Sequence, residues 1–181
     1  MTPTETLRHE HEIIRLVLNG VHRGASSLAA TLQGDPQWLD TIVDFVRTFA
    51  DRCHHAKEEK HLFPRLRERG VPGEGGPIGA MLAEHEQGRA FIRRVAEAAA
   101  AARGGDQPAL EAASRNLLGY VELLRGHIAK ENDILFPLAD RVLTEEDQRE
   151  LAEAFDRVEA EELGEGVHER YHQLAHELGE P

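Results

Sequence analysis

The chain of 181 residues carries Lys+Arg 21 against Asp+Glu 33, a formal net charge of −12, with 40% hydrophobic and 30% charged residues. That balance supplies apolar surface for one substantial core, which excludes disorder by composition, and no apolar run approaches a membrane-spanning length. A field this negative repels phosphate backbones and excludes nucleic acid as a partner. The N-terminus, MTPTETLRHEHE, has no basic start and no apolar stretch, and the lone Cys53 can form no internal disulfide. The expected setting is a reducing cytoplasm, away from membranes, and the expected assembly a monomer or homodimer.

The first predicted helix runs from Thr4, as N-cap, to Leu32, with His11, Ile14, Leu18 and Val21 at helical spacing. A turn at Gly34-Asp35-Pro36 precedes a second helix, which carries Leu39, Ile42, Val43, Val46, Phe49 and Ala50 toward His54. After the glycine-rich stretch GVPGEGGPIG, a third helix spans 78–103, and a fourth runs from Pro108 to Val142. Thr144, followed by two glutamates, caps a fifth helix to Leu163, and a short sixth follows Gly166. No segment reads as strand. The fold class is therefore all-α, with four long helices in residues 1–143 and a C-terminal helical extension, 144–181, that packs on or caps them. Pro64 and Pro137 fall inside predicted helices, where a proline removes a backbone hydrogen bond and clashes one turn back, so each helix is expected to kink at its Phe-Pro step.

The two Phe-Pro steps belong to a repeat. HHAKEEKHLFP, from His54 to Pro64, is nearly the same string as HIAKENDILFP, from His127 to Pro137. The preceding helices match too, through Glu10-His11-Glu12 and Glu84-His85-Glu86, so the chain is two copies of a helix pair. Each pair contributes one histidine from its first helix and a His-x-x-x-Glu from its second. Residues four apart share a helix face, so His54 with Glu58, and His127 with Glu131, each form a chelating pair.

That face is the core face: Leu124, His127, Glu131 and Leu135 follow one stripe, and His11 shares another with Ile14 and Leu18. Unpartnered carboxylates there would cost several kcal/mol per charge. Lys57 and Lys130 are one residue from the acids and point elsewhere, whereas divalent cations bind neutral imidazole and carboxylate together and supply the missing positive charge. Four histidines and two carboxylates suit two metals bridged by Glu58 and Glu131. Structural zinc prefers a closed site, usually with cysteine, so the donor set points to non-haem iron, with manganese or zinc as alternatives.

On Glu10-His11, His54-x-x-x-Glu58 with Leu62-Phe63-Pro64, Glu84-His85, and His127-x-x-x-Glu131 with its own Leu-Phe-Pro, the chain from Thr4 to Val142 resembles the hemerythrin-like proteins, the HHE cation-binding domains. The resemblance implies an up-and-down four-helix bundle holding two irons bridged by two carboxylates and an oxo or hydroxo species. It implies that His11 and His54 serve one iron, His85 and His127 the other, with Glu58 and Glu131 bridging. Oxygen carriers of the family use His-x-x-x-His on the third helix, but Met81 stands four before His85. His55 is the candidate for the missing nitrogen, with Glu59 the alternative. The carriers also have a longer spacing, ending in Asp, where this chain has His127-x-x-x-Glu131. This altered ligand set implies chemistry on O2, peroxide or nitric oxide rather than simple oxygen carriage: either catalase-like removal of peroxide, or non-enzymatic sensing, scavenging or storage.

Glu10 and Glu84 read as supporting acceptors or solvated charges, Tyr120 as core with a hydroxyl that could line the pocket, Cys53 as packing, and His9, His22 and His61 as surface. His168, His172 and His176 line one face of the sixth helix, a stripe that can bind metal; the helix is expected instead to dock through Tyr171, Leu174 and Leu178 and to act as a lid over one end of the bundle.

Overall fold

A computed structural model describes residues 1–162 and 167–179, with backbone alone for Val167, His168 and Gly179. Helix α1 (Pro3–Thr31) begins two residues earlier than its sequence suggests. Pro3 takes the first helical position, where its missing N–H is no loss, and so Thr2 becomes the cap. The Thr2 hydroxyl accepts the Glu5 N–H at 3.3 Å while the Glu5 carboxylate accepts the Thr2 N–H at 2.7 Å, a reciprocal capping box. Thr4 is left free to donate to Asp140 at 2.6 Å, joining the start of the first helix to the end of the fourth rod.

Asp35 caps α2 (Pro36–Phe45), which continues without a break through π-helical segments at Val46–His55 and Glu58–Leu62 into α3 (Phe63–Glu68). The third rod is α4 (Pro77–Arg103). The fourth is α5 (Gln107–Lys130), a π turn at Glu131–Leu135 and α6 (Phe136–Val142). In both halves the widened turn sits directly before Phe-Pro, with the Phe63 N–H reaching back to the Glu58 carbonyl and the Phe136 N–H to that of Glu131. A proline in a regular α-helix meets the carbonyl four residues back, and a five-residue step removes that conflict while keeping the rod continuous.

Neighbouring rods run antiparallel. Gly24 lies against Trp38 while Glu10 meets His54, so α1 and the second rod are antiparallel. Arg103 pairs with Asp40 and Arg89 with Asp51, Gly88 faces Tyr120 while Glu84 meets His127, and Ser114 bonds Ala25 while Asn132 meets His11. This closes an up-and-down four-helix bundle, all-α among the described residues.

Its interior is layered. A large apolar cluster built on Ile14, Leu18, Phe49, Ile92 and Leu124 fills one end, and a smaller one built on Leu7, Leu62, Phe63, Met81 and Phe136 fills the other. Along every rod the polar motif residues fall between the two.

The C-terminal helices complete both layers. In α7 (Glu145–Glu162) Leu151 and Phe155 join the smaller cluster, and Thr144 and Asp147 form its capping box. Asp147 also receives Arg65 of α3 and Arg69, which caps its C-terminus. In α8 (Val167–Gly179) Tyr171 is buried against Phe45 and Phe49 and donates its hydroxyl to Asp44 at 2.9 Å. Leu174 and Leu178 are half-buried on the same side, as anticipated, though Ala175 is the more enclosed neighbour. Gly20 of α1 lets the Leu178 carbonyl approach so closely that a Cβ would lie 1.9 Å from it. His172 and His176 lie along the other side of α8, with His9 of α1 5.7 Å from His172 between ring centres; the His168 side chain falls outside the described residues. His9 and His22 are exposed and His61 is half-buried. No helix among the described residues is long and apolar enough to cross a membrane.

Candidate metal centre

The middle layer collects His11 from α1, His54, His55 and Glu58 from the second rod, His85 from α4, and His127 and Glu131 from the fourth rod. All seven are at most 4% exposed. Their donor atoms form two groups, His11, His54, Glu58 and Glu131 in one and His55, Glu58, His85 and His127 in the other, with all atoms of a group within 4.8 Å of one another. Within the first, the Nε2 atoms of His11 and His54 are 3.0 Å apart; within the second, those of His85 and His127 are 3.1 Å apart. Two imidazole nitrogens about 2.1 Å from one ion and at right angles would be about 3.0 Å apart.

The carboxylates lie between the groups. Glu58 sets one oxygen 3.6 Å from His54 and the other 3.4 Å from His85. One oxygen of Glu131 is 3.2 Å from both His11 and His127. Each acid therefore touches a histidine of either group, the placement a bridging ligand needs.

Every imidazole is held from behind. Nδ1 of His54 meets Glu10 at 2.8 Å, that of His127 meets Glu84 at 2.9 Å, and that of His85 meets Glu59 at 2.7 Å. Nδ1 of His11 meets Asn132 at 2.9 Å and that of His55 meets Asp51 at 3.2 Å. A proton on Nδ1 satisfies these acceptors and leaves each Nε2 lone pair facing inward, the arrangement a metal-ligating histidine takes. Glu10 and Glu84 are acceptors, as their sequence positions suggested. Asp51 and Asn132 carried no signal in the sequence, because nothing in it indicates which polar neighbour lies behind a ring on another helix. Glu59, offered as an alternative donor, stands behind His85, while His55 lies inside the second group, its ring stacked on His85 with centres 3.8 Å apart. Met81 is packed into the smaller apolar cluster.

The electrostatics fit cations. Both oxygens of Glu58, both of Glu131 and Nε2 of His55 are buried without a hydrogen bond, a condition that would cost several kcal/mol if nothing compensated it. Burial and the facing Glu131 push the Glu58 carboxyl well above its ordinary range. Burial acts on Glu131 in the same sense but is outweighed by His127 and His11, which hold it well below. Burial lowers His54 to about 4 and His55 well below the usual histidine range, so both stay neutral donors. Inward-facing imidazole nitrogens and opposed carboxylates without hydrogen bonds are what bound metal requires, and these residues provide them.

A cavity leads toward this layer. A cavity of about 170 Å³ reaches His55, His85 and His127 between the second rod, α4 and α5. Tyr120 lines it, with a buried hydroxyl that has no hydrogen bond. Neither α7 nor α8 contributes to its lining, so the C-terminal helices flank the bundle and do not cover this entrance.

A family model described as the hemerythrin HHE cation-binding domain matches residues 2–139. Uncharacterized proteins of Mycobacterium tuberculosis, strain H37Rv, and Mycobacterium bovis are each 28% identical over 165 residues, covering 91% of this chain. The chain spans 64% of the length of these curated relatives. No solved structure matches. With the family model covering residues 2–139 and its motifs meeting in one buried layer, the chain belongs to the hemerythrin HHE cation-binding family, a family of metal-binding domains.

Proposed function

We propose that the chain holds two iron ions, with His11, His54, His55, His85, His127, Glu58 and Glu131 as ligands, and that this centre takes O2, peroxide or nitric oxide. The reading is carried by one observation: five imidazoles and two carboxylates, buried between apolar layers, turn their donor atoms toward one another, and the four carboxylate oxygens have no hydrogen bond. Once bound, an iron pair supplies redox capacity and exchangeable coordination positions to a small ligand.

The chain's own residues do the rest. Glu10, Glu84, Glu59, Asp51 and Asn132 fix ring orientation and tautomer, and the apolar layers keep bulk water out. His55 makes good the nitrogen that Met81 does not provide. The imidazoles are shared as two and three between the groups, so the two ion positions are unequal, and the cavity opens only onto the richer one. An open side favours ligand exchange over a closed structural site. In an enzymatic form the overall change is 2 H2O2 → O2 + 2 H2O; a sensor, scavenger or store would use the same ligands without turnover. Cys53, buried and single, suits a reducing cytoplasm.

Iron content and the absorption spectrum of freshly purified protein, before and after peroxide, test the proposal. We expect about two irons per chain and charge-transfer bands, both diminished in His54→Ala and Glu131→Gln. Metal well below one per chain after careful loading would overturn it, and a colourless protein filled with zinc would remove the redox chemistry. Oxygen release from peroxide, abolished in the same variants, separates the enzyme from the binding protein.

A further inference from the structure

We propose that the cavity beside His55, His85 and His127 binds a small carboxylate whose apolar body is about the size of a benzene ring. This goes beyond the di-iron reading and does not require bound metal. The cavity measures about 170 Å³, whereas an apolar cavity of about 150 Å³ accommodates benzene and a water occupies about 30 Å³ of liquid. O2, peroxide or nitric oxide would leave most of that space unfilled.

The walls are apolar, from Val46, Ile92, Leu124 and the ring of Tyr120. Gly88, in the middle of α4, also faces in. A Cβ there would meet Tyr120 at 3.4 Å and Leu124 at 3.6 Å, which is ordinary contact. Alanine would therefore fit, and it would favour the helix. Helix packing does not require the glycine; what it leaves is room.

The charge at the cavity is opposite to that of the chain. Arg47 and Arg93 line it, both are exposed, and among the described residues neither is paired with an acid, although the formal net charge is −12. The two acids in the lining are already engaged, Asp51 with His55 and Arg89, and Glu84 with His127 and Lys130. Inside, the Tyr120 hydroxyl and Nε2 of His55 are the lining side-chain atoms buried without a hydrogen bond among the described residues. Two exposed guanidinium groups beside an apolar chamber match a carboxylate head on a compact apolar body, the head held by charge-assisted hydrogen bonds and the body directed toward the histidines.

Titration calorimetry with benzoate and with benzyl alcohol, on metal-loaded protein and on protein stripped by chelation, tests this. Benzoate should bind at least tenfold more tightly than benzyl alcohol in both forms. The exposed double substitution R47Q/R93Q should erase that advantage without changing metal content, and G88L, which fills the chamber, should abolish binding of both compounds. Equal affinities for the two compounds, benzoate affinity that survives R47Q/R93Q, or binding unaffected by G88L would each overturn the proposal. Benzoate binding confined to the metal-loaded form would place the carboxylate on the metal and overturn it equally. Because the stripped protein carries the test, a lack of iron would defeat the di-iron reading and leave this one standing.

Discussion

The two halves of the bundle carry the same Lys–Glu–His relay in different surroundings. In one, Lys57 pairs with Glu10, which accepts from His54; in the other, Lys130 pairs with Glu84, which accepts from His127. Lys57 is fully buried, under Phe155 and Glu159 of α7, whereas Lys130 is 45% exposed. The C-terminal extension thus seals the first relay, and the second borders the cavity. A duplicated sequence has become a closed side and an open side through what was added after it.

Breaking the relays should reveal that difference most strongly. Lys57→Ala leaves the buried Glu10 carboxylate with His54 alone and should cost about 3 kcal/mol in chemical denaturation. Lys130→Ala should cost less than about 1 kcal/mol. Equal losses would mean that α7 seals nothing.

The clamp that holds α7 comes next. Asp147→Asn loosens Arg65 and Arg69, both partly exposed, and weakens a helix cap, for an expected loss of about 1–2 kcal/mol. Arg69 foremost, with the Thr144 N–H and Arg65, holds the Asp147 carboxyl well below its ordinary range against the opposing effect of burial. A depressed carboxyl stabilises fully above its unfolded value, about 3.9, and that contribution fades as pH falls further toward the folded value. Undocking of α7 in acid, followed by hydrogen exchange, should therefore begin below about pH 4 in the native chain. The Asn variant should lack that component; an unchanged acid profile would show that Asp147 is not the clamp.

On the open side, Tyr120→Phe removes a hydroxyl that has no partner, so stability should stay within about 1 kcal/mol or rise slightly. A loss beyond about 2 kcal/mol would reveal an interaction that the folded chain conceals. The smallest effect belongs to the closed side. Burial pushes the Cys53 thiol up to about 12, and Cys53 is fully enclosed, so a thiol reagent at neutral pH should label it only on unfolding. Rapid labelling of folded protein would contradict the seal.

Much of this was legible because helical spacing is a strong signal. His54 with Glu58, and His127 with Glu131, are four apart within apolar stripes, and their repetition made burial and convergence readable before any coordinates. The first helix was misjudged by two residues because Thr4 resembles a cap until Pro3 is allowed inside the helix. His55 was harder, since consecutive residues of an α-helix diverge and His54 already faced the core. Both turn inward at the end of the π-helical stretch Val46–His55, and no residue there announces a π-helix. Lys57 does point away from Glu58, as its spacing required, but sequence could not show that away meant toward Glu10. The entrance was equally hidden: the extension was expected to be a lid, yet a missing side chain at Gly88 and two exposed arginines become meaningful only once three rods are set side by side.

The wide turns before Pro64 and Pro137 make each motif a matter of register as well as composition. Deleting one residue between Glu131 and Leu135 would let the turn relax into ordinary α-helix, leaving the rod intact. The Phe136 N–H, now bonded to the Glu131 carbonyl five residues back, would then meet it four back, so Phe136 would keep its place in the smaller apolar cluster and its stack on His11 at 5.4 Å, while Pro137 would face the carbonyl clash that the wide turn spares it. A chain so shortened would keep every ligand, its helical content and the floor on which its histidines rest, and would take instead the kink that the extra residue averts.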